Sequence, residues 1–148
     1  MAKYKKIKIV CDACCHKPNA NLGLVGKGKS AGGIIFLDEL GSSVSEFGVY
    51  LGEKTPPQAE YTTIIRALDK AAGICRGDIE VWTDSEFIVK QMNGDYGIKS
   101  ENMKPLYDEV KKLEKRFNDV KYFHHGRETK LAKRADQLAE QEYKKNQG

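Results

Sequence analysis

Three strand-like segments come before the first helical segment, and this order limits the folds that the chain can adopt. The segments at 4–12, 31–37 and 43–52 are rich in the β-branched and aromatic residues that favour strands. A turn signal, Asp38-Glu-Leu-Gly41, separates the second segment from the third. Because short connections join antiparallel neighbours, we predict that these three strands form an antiparallel meander.

The rest of the chain alternates between helical and strand-like segments. A helical period follows Thr55-Pro56-Pro57, which is typical of a helix N-terminus, and it ends near Gly73. The later predicted elements are, in chain order, a strand at 78–83, a helix from Asp84-Ser85 to about Met92, a loop at 95–101, a helix at 102–117, a strand at 119–124, a polar loop at 125–133 and a helix at 134–145. This order predicts an α/β fold with a mixed sheet, and the length of 148 residues fits a single domain over 1–148.

The composition argues against two broad classes of protein. Apolar residues make up 40% of the chain and charged residues 31%, which argues against a wholly disordered protein. No apolar run approaches the roughly 20 residues that span a bilayer, and no apolar signal-peptide stretch follows the basic start. We therefore expect a cytoplasmic protein without a membrane partner. The chain has 25 Lys and Arg residues and 21 Asp and Glu residues, which gives a net charge of +4. This charge permits a polyanionic partner without requiring one.

Three of the four cysteines lie in one short motif, Cys11-Asp-Ala-Cys14-Cys15-His16. A cytoplasmic location makes structural disulfides unfavourable. The motif could supply part of a zinc site, but the further candidates, Cys75, His124 and His125, lack the paired spacing of such sites. The interpretation that we favour is that the thiols are buried as small apolar side chains at the end of a strand.

Four acidic residues occupy positions where an acid is a poor structural choice. Asp12 directly follows an apolar strand, and Asp84 follows another. Glu60 lies in the first turn of a helix on its apolar side, and Asp136 lies near the start of the last helix. Carboxylates that are brought together repel one another unless a cation such as Mg²⁺ or Mn²⁺ neutralises them. Each acid also has a simpler interpretation, as a helix cap, a contact with a helix dipole or a solvated surface group.

The motifs around these acids resemble those of one known family. The segments that carry the resemblance are Ile9-Val-Cys-Asp12-Ala-Cys-Cys15, Gln58-Ala-Glu60-Tyr with Ala67-Leu68, Trp82-Thr-Asp84-Ser-Glu-Phe-Ile-Val-Lys-Gln-Met-Asn-Gly94-Asp-Tyr96, Lys104-Pro-Leu-Tyr107, and His124-x-x-Arg127-Glu128 followed by Ala135-Asp136. The third segment is the most specific, and the five occur in the family's order over about residues 5–143. The chain is therefore identified as a member of the type 1 ribonuclease H family, in the short archaeal and bacterial form that lacks a basic protrusion.

The resemblance implies a three-layer fold: a five-stranded mixed sheet, antiparallel in its first three strands, with helices on both faces. It also implies an endonuclease that cuts the RNA strand of RNA–DNA hybrids and leaves 5′-phosphate and 3′-hydroxyl ends. Asp12, Glu60, Asp84 and Asp136 would hold two Mg²⁺ ions, for which Mn²⁺ could substitute, in a two-metal mechanism. His124 matches the loop histidine of the family, which suits proton transfer, and the adjacent His125 could hold the same role.

The resemblance also assigns substrate contacts, to Thr55, Ser85, Glu86 and Cys15. The chain departs from the family after this threonine, where Pro56 and Pro57 replace two asparagines. Those asparagines bind the minor groove of the hybrid, and proline has no side-chain donor, so we predict weak or unusual hybrid binding. The alternative function is that of a catalytically weak relative that mainly binds nucleic acid. We expect a monomer in either case.

Overall fold

The computed structural model describes residues 3–17, 26–94 and 103–147, and the predicted loop at 95–101 lies outside them. The elements of the described residues are, in chain order, β1 (Tyr4–His16), β2 (Gly28–Leu37), β3 (Ser43–Lys54), α1 (Pro56–Ala71), β4 (Cys75–Thr83), α2 (Glu86–Met92), α3 (Lys104–Glu114), β5 (Asp119–His124) and α4 (Lys130–Lys145). No helix in this part of the chain is long and apolar enough to cross a membrane.

The five strands form a mixed sheet in the order β3-β2-β1-β4-β5. β2 pairs antiparallel with both β1 and β3, and the turn between β2 and β3 closes when the N–H of Gly41 donates to the carbonyl of Asp38. β4 pairs in parallel with β1, and β5 in parallel with β4. Helical connections precede both parallel strands, as parallel pairing requires. The predicted sheet, with three antiparallel strands first, is confirmed.

The two faces of the sheet bury separate apolar layers. Successive side chains of a strand point to opposite faces, so neighbouring residues of β1 belong to different layers. Ile9 lies in the larger layer, with residues of α1 and α3. Val10 lies in the smaller layer, with Ala135 and Leu138 of α4. Helices therefore cover both faces, as the resemblance implied.

Two glycines allow α4 to lie very close to the sheet. Gly33 of β2 and Gly48 of β3 are register partners. A Cβ atom at Gly33 would collide with the carbonyl oxygen of Ala135, and one at Gly48 would lie 2.9 Å from the carbonyl oxygen of Leu138. The backbone of α4 thus rests directly on the backbone of the sheet, which only residues without a side chain permit.

The structure moves the boundaries of two predicted elements that bear on the site. β1 continues to His16 instead of ending at Asp12, because the segment after Asp12 pairs with β2. α4 begins at Lys130 and not at 134, because the hydroxyl of Thr129 caps its first turn. The polar loop before α4 is correspondingly shorter than predicted.

Candidate active site

Asp12 and Asp84 lie where two neighbouring strands separate. β1 and β4 run parallel, and the last residues that they pair are Val10 and Trp82. Each acid comes two residues after its paired residue, so the two acids occupy equivalent positions just beyond the paired region. Their carboxyl groups lie within hydrogen-bonding reach of each other. Open α/β sheets commonly bind ligands at such carboxyl ends of strands.

Glu60 reaches the same region from the start of α1. A capping box fixes this helix end: the hydroxyl of Thr55 accepts from the N–H of Gln58 at 3.3 Å, and Oε1 of Gln58 accepts from the N–H of Thr55 at 3.0 Å. The hydroxyl of Ser85, at the start of α2, donates a hydrogen bond to the Glu60 carboxylate, and the charge of Asp84 acts on the same group. Glu60 therefore lies beside the end of β4.

Asp136 is supplied by α4 from one face of the sheet. Gly33, where α4 touches the sheet, is the register partner of Asp12 on β1. The residue of α4 that makes this contact is Ala135, the neighbour of Asp136. The close approach of the helix therefore brings Asp136 near Asp12, and its charge acts on the Asp12 carboxyl.

Three of the four predicted metal-binding acids line one cleft. The cleft has a volume of about 230 Å³, and its lining residues are Asp12, Ala13, Asp84, Arg127, Ala132, Lys133 and Asp136. Glu60 is not part of this lining, but it is linked to the cleft through Ser85 and Asp84. The structure thus brings the four acids into one region although they are far apart in the sequence.

Burial and mutual repulsion make these acids difficult to ionise together. Burial, with the charges of Asp84 and Asp136, raises the pKa of Asp12 from 3.8 to about 8. Burial also raises the pKa of Glu60, and the hydrogen bond from Ser85 opposes part of that rise. A divalent cation would remove the repulsion, and a set of carboxylate oxygens suits a hard cation.

The structure contradicts the simpler interpretation of two of the acids as helix caps. Ser85 is the N-cap of α2, and its hydroxyl accepts from the N–H of Ile88 at 3.4 Å. Asp84 precedes that cap, and Asp12 lies inside β1. Neither carboxylate is committed to a helix end, so both are available to the cleft.

The two adjacent histidines have different surroundings. His124 is exposed at the end of β5, and its charge acts on Glu86 at the start of α2. The ring of His125 borders a separate cavity of about 240 Å³, together with Lys8 and Trp82. Its Nε2 is buried without a hydrogen-bond partner among the described residues, and burial lowers its pKa. His124 is therefore the more accessible of the two to a ligand near α2.

The predicted substrate contacts surround the N-termini of α1 and α2. Thr55 caps α1, and Ser85 caps α2. The thiol of Cys15 donates to the carbonyl of Lys54 at 3.2 Å, which places Cys15 next to Thr55. Glu86 is the first residue of α2 and is exposed. Ser85 also acts on Glu60 of α1 through a hydrogen bond, so the starts of the two helices lie close together.

Arg127 is a further residue of the cleft, and the sequence motifs assign it no role. Its Nε lies 2.9 Å from Oδ2 of Asp84, whose side chain is only 12% exposed, whereas that of Arg127 is 87% exposed. Lys133 adds a second cation to the cleft lining. The available signal was the place of Arg127 in the motif that begins at His124. That motif does not indicate which acid the guanidinium contacts.

We expect Arg127→Gln to strengthen Mg²⁺ binding by the protein without substrate. The guanidinium and a metal ion would compete for the same oxygen of Asp84. Removal of the guanidinium should therefore lower the dissociation constant of Mg²⁺ about three- to tenfold, which corresponds to roughly 1 kcal/mol. Isothermal titration calorimetry measures this change. Arg116→Gln, which removes an exposed ion pair with Asp69, is the matched control. Weaker Mg²⁺ binding by Arg127→Gln would contradict the competition.

Comparison with known sequences places the chain among reverse transcriptase-like proteins. The family model with that description matches residues 20–142. The ribonuclease HI of Halobacterium salinarum is 33% identical over 112 residues, which are 76% of this chain and 55% of that protein. The matched region therefore spans about half the length of this curated relative.

Solved structures share the fold over almost their whole length. The RNase H1 of Halobacterium salinarum has a TM-score of 0.83 at 27% identity, with 95% of this chain and 98% of that chain covered. LC11-RNase H1 in complex with an RNA/DNA hybrid has a TM-score of 0.83 at 28% identity, with 96% and 99% covered. A second structure of LC11-RNase H1, which was isolated from compost by a metagenomic approach, has a TM-score of 0.78 at 30% identity, with 97% and 99% covered.

These matches define the class of the protein as a ribonuclease H-like α/β domain. Within that class, the chain belongs to the type 1 ribonuclease H family. The resemblance drawn from the sequence motifs is therefore confirmed at the level of the family.

Proposed function

We propose that the protein is a metal-dependent endonuclease that hydrolyses the RNA strand of RNA–DNA hybrids and leaves 5′-phosphate and 3′-hydroxyl ends. The observation that carries this proposal is the cleft that Asp12, Asp84 and Asp136 share, with Glu60 beside it. Membership of the ribonuclease H family supports the same activity. LC11-RNase H1, a relative with this fold, has been solved with an RNA/DNA hybrid bound, which supports the proposed substrate.

The donor set of the cleft fits hard divalent cations. Enzymes of this family use divalent metal ions, and carboxylate oxygens are the ligands that Mg²⁺ prefers and Mn²⁺ accepts. We propose two Mg²⁺ ions, held by Asp12, Glu60, Asp84 and Asp136. When bound, they would activate water and stabilise charge on the leaving oxygen. Burial and the charges of Asp84 and Asp136 raise the pKa of Asp12, and a cation in the cleft would offset both effects, which supports this fit.

The residues around the acids suit the handling of a phosphodiester. Arg127 and Lys133 place positive charge at the cleft, which favours the approach of a phosphate group. The hydrogen bond from Ser85 favours the ionised form of the Glu60 carboxyl, the form that binds a cation. We assign proton transfer to His124, because its imidazole is exposed at the end of β5.

Cleavage of a hybrid with differently labelled RNA and DNA strands tests the proposal. We expect cuts in the RNA strand alone, with Mg²⁺ or Mn²⁺ present, and no cuts after chelation with EDTA. Single-stranded RNA, double-stranded RNA and double-stranded DNA serve as comparison substrates, because duplex shape and the 2′-hydroxyl distinguish the hybrid. Treatment of the products with phosphatase identifies the 5′-phosphate. Cleavage that survives EDTA, or that prefers double-stranded RNA, would contradict the proposal.

A second candidate function, nucleic-acid binding with little turnover, rests on Pro56 and Pro57. They are the first two residues of α1 and follow its cap, Thr55. Proline suits the first turn of a helix, but its side chain offers no hydrogen bond to a ligand. The presence of all four acids in one region favours the enzyme over this alternative.

Replacement of both Pro56 and Pro57 with asparagine is expected to tighten hybrid binding about tenfold. The reason is that the two side chains would add one or two hydrogen bonds to the hybrid, each worth roughly 0.5–1.5 kcal/mol. Fluorescence anisotropy with a labelled hybrid in EDTA measures binding without cleavage. Pro105→Asn, in the first turn of α3, is the matched control. The idea of an altered minor-groove contact is wrong if the natural protein binds hybrids with ordinary affinity and the double variant does not bind them more tightly.

We further propose that residues 1–148 form a single domain that acts in the cytoplasm as a monomer. Helices of the same chain pack against both faces of the sheet. Among the described residues, the large apolar side chains that are exposed are Leu40 and Phe87, and they lie on different elements. Analytical ultracentrifugation is expected to give a mass near 16.6 kDa. A dimer mass would contradict the proposed monomer.

A further inference from the structure

The cysteine-rich end of β1 holds donor groups that the proposed cleavage reaction does not use. Because successive side chains of a strand alternate between faces, Cys14 and His16 share the face of Asp12, towards α4. Cys11 and Cys15 point to the other face, where each thiol donates to a backbone carbonyl. The zinc site that the sequence suggested, built from all four residues of this motif, is therefore not assembled.

A helix supplies another donor on the face of Cys14 and His16. Glu140 lies one turn after Asp136 on α4, and Cys14 lies at the next position after Asp12 on the same face of β1. As a result, Cys14, His16 and Glu140 each offer one ligand atom to a common region, and these atoms lie within 4.8 Å of one another. Cys14 and Glu140 thus face each other further along β1 and α4, as Asp12 and Asp136 do.

We propose that Cys14, His16 and Glu140 bind a transition-metal ion of the Zn²⁺ type, at a site separate from the carboxylate cleft. A thiolate and an imidazole are softer ligands than carboxylates, and they select Zn²⁺ over Mg²⁺. The three protein ligands fill three of the four tetrahedral positions that Zn²⁺ takes, and a water molecule would take the fourth. This proposal does not depend on the proposed nuclease activity.

The histidine of this site is already oriented towards its neighbouring ligand. Nε2 of His16 lies 2.9 Å from Oε1 and 2.8 Å from Oε2 of Glu140. The imidazole stacks on the ring of Tyr143, with the ring centroids 3.8 Å apart and the planes 19° from parallel. Such packing around a metal ligand fixes its orientation before the ion arrives. A bound ion would replace the direct contact between the imidazole and the carboxylate.

The thiol and the other two ligands differ in exposure, in a way that suits capture of an ion. Cys14 is buried, and burial together with the charge of Glu140 raises the pKa of its thiol to about 12, so a bound ion would have to displace the thiol proton. The side chains of His16 and Glu140 are 40% and 32% exposed, so an ion can reach the site from solvent. A bound ion would join the end of β1 to α4, the helix that carries Asp136.

Cobalt(II) provides a spectroscopic probe of this site. A cobalt–thiolate bond gives a charge-transfer band in the near ultraviolet, which carboxylate ligands do not give. The reduced natural protein is titrated with Co²⁺ while excess Mg²⁺ occupies the carboxylate cleft. We expect one equivalent of Co²⁺ to produce the band, one equivalent of Zn²⁺ to remove it, and Zn²⁺ to raise the melting temperature. Absence of the band in the natural protein would overturn the proposal.

Three variants test the assignment of the ligands. Cys14→Ser is expected to abolish the band, and Glu140→Gln to weaken Co²⁺ and Zn²⁺ binding about tenfold or more. Cys15→Ser, which removes the adjacent thiol on the opposite face, is the matched control and should keep the band. Glu140 is partly exposed on a helix, so its variant remains informative if Cys14→Ser fails to fold. A band that survives in Cys14→Ser, or unchanged affinity in Glu140→Gln, would overturn the assignment.

Discussion

Asp12→Asn and Asp84→Asn are each expected to reduce hybrid cleavage about a thousandfold or more. Each substitution removes a charge that the proposed metal ions require, and the loss of about 4 kcal/mol of transition-state stabilisation corresponds to that factor. Single-turnover cleavage of a labelled hybrid in Mg²⁺ measures the effect. Both carboxylates line the same cleft, so the two variants should behave alike.

Although Asp12→Asn should lower activity, it is expected to raise the stability of the metal-free protein. Asparagine keeps the size of the side chain and is neutral without a proton, whereas the buried Asp12 must either hold a proton or carry a charge that Asp84 and Asp136 repel. Denaturation in EDTA at neutral pH should therefore give a free energy of unfolding higher than that of the natural protein by roughly 1–3 kcal/mol. A site that binds a cation is thus expected to reduce the stability of the protein while the cation is absent.

Burial of Asp12, together with this charge repulsion, gives stability a definite dependence on pH. The pKa of Asp12 is about 8 in the folded protein, against an ordinary value of 3.8. The folded state therefore holds a proton that the unfolded state releases. The metal-free protein should lose stability as the pH rises from about 4 to about 8, with little further change from this group above 8. Asp12→Asn should remove this contribution, and Mg²⁺ should reduce it.

Asp108→Asn is the matched control for these variants. Asp108 forms an exposed ion pair with Lys104 on α3, at 3.3 Å, and such pairs contribute only a few tenths of a kcal/mol. This variant should keep both its activity and its stability. Near-natural cleavage by Asp12→Asn or Asp84→Asn would refute the assignment of the site. Lower stability of Asp12→Asn in EDTA would refute the account of repulsion.

Gly33→Ala is expected to lower the free energy of unfolding by about 1–3 kcal/mol or more, and to reduce cleavage as well. The added Cβ would overlap the carbonyl oxygen of Ala135, and a backbone atom cannot rotate away as a side chain can. α4 would have to move away from β2 and would carry Asp136 away from Asp12. Urea denaturation and single-turnover cleavage of a hybrid measure the two effects.

Gly73→Ala provides the comparison for Gly33→Ala. A Cβ at Gly73 would lie 3.4 Å from its nearest neighbour, the carbonyl oxygen of Lys70, which is an ordinary contact. Its φ angle is not in the left-handed region. The change in stability should therefore stay within about 0.5 kcal/mol. If Gly33→Ala were equally mild, the contact between α4 and the sheet could not be as close as described.

The order of strands and helices could be predicted because most elements carry a local pattern of their own. β5 lies at Asp119–His124, where the sequence placed it. The prediction ended β1 too early because the cysteine-rich segment after Asp12 has little apolar alternation and owes its strand form to pairing with β2. The start of α4 was missed because its first turn, after the cap at Thr129, has a lysine at each end and continues the polar loop before it.

The candidate site depends on contacts that no local pattern reveals. Spacing along the chain leaves Asp12, Glu60, Asp84 and Asp136 as separate acids, and the family resemblance joined them. In the structure, they meet because β1 and β4 are neighbours and because α4 packs closely at Gly33. The ion pair between Arg127 and Asp84 arises from the same tertiary arrangement, so the sequence could not indicate it.

A helix that touches a sheet through main-chain atoms holds its distance from that sheet with little freedom. α4 cannot move closer at Gly33, and movement outwards would expose Val10 and Leu138, which pack between the two layers. The Cα atoms of Asp12 and Asp136 should therefore keep a nearly constant separation, while their side-chain torsions adjust to charge. The backbone spacing would then set the range of ion sizes that the cleft accepts, and the side chains of Asp12 and Asp136 would adjust within that range.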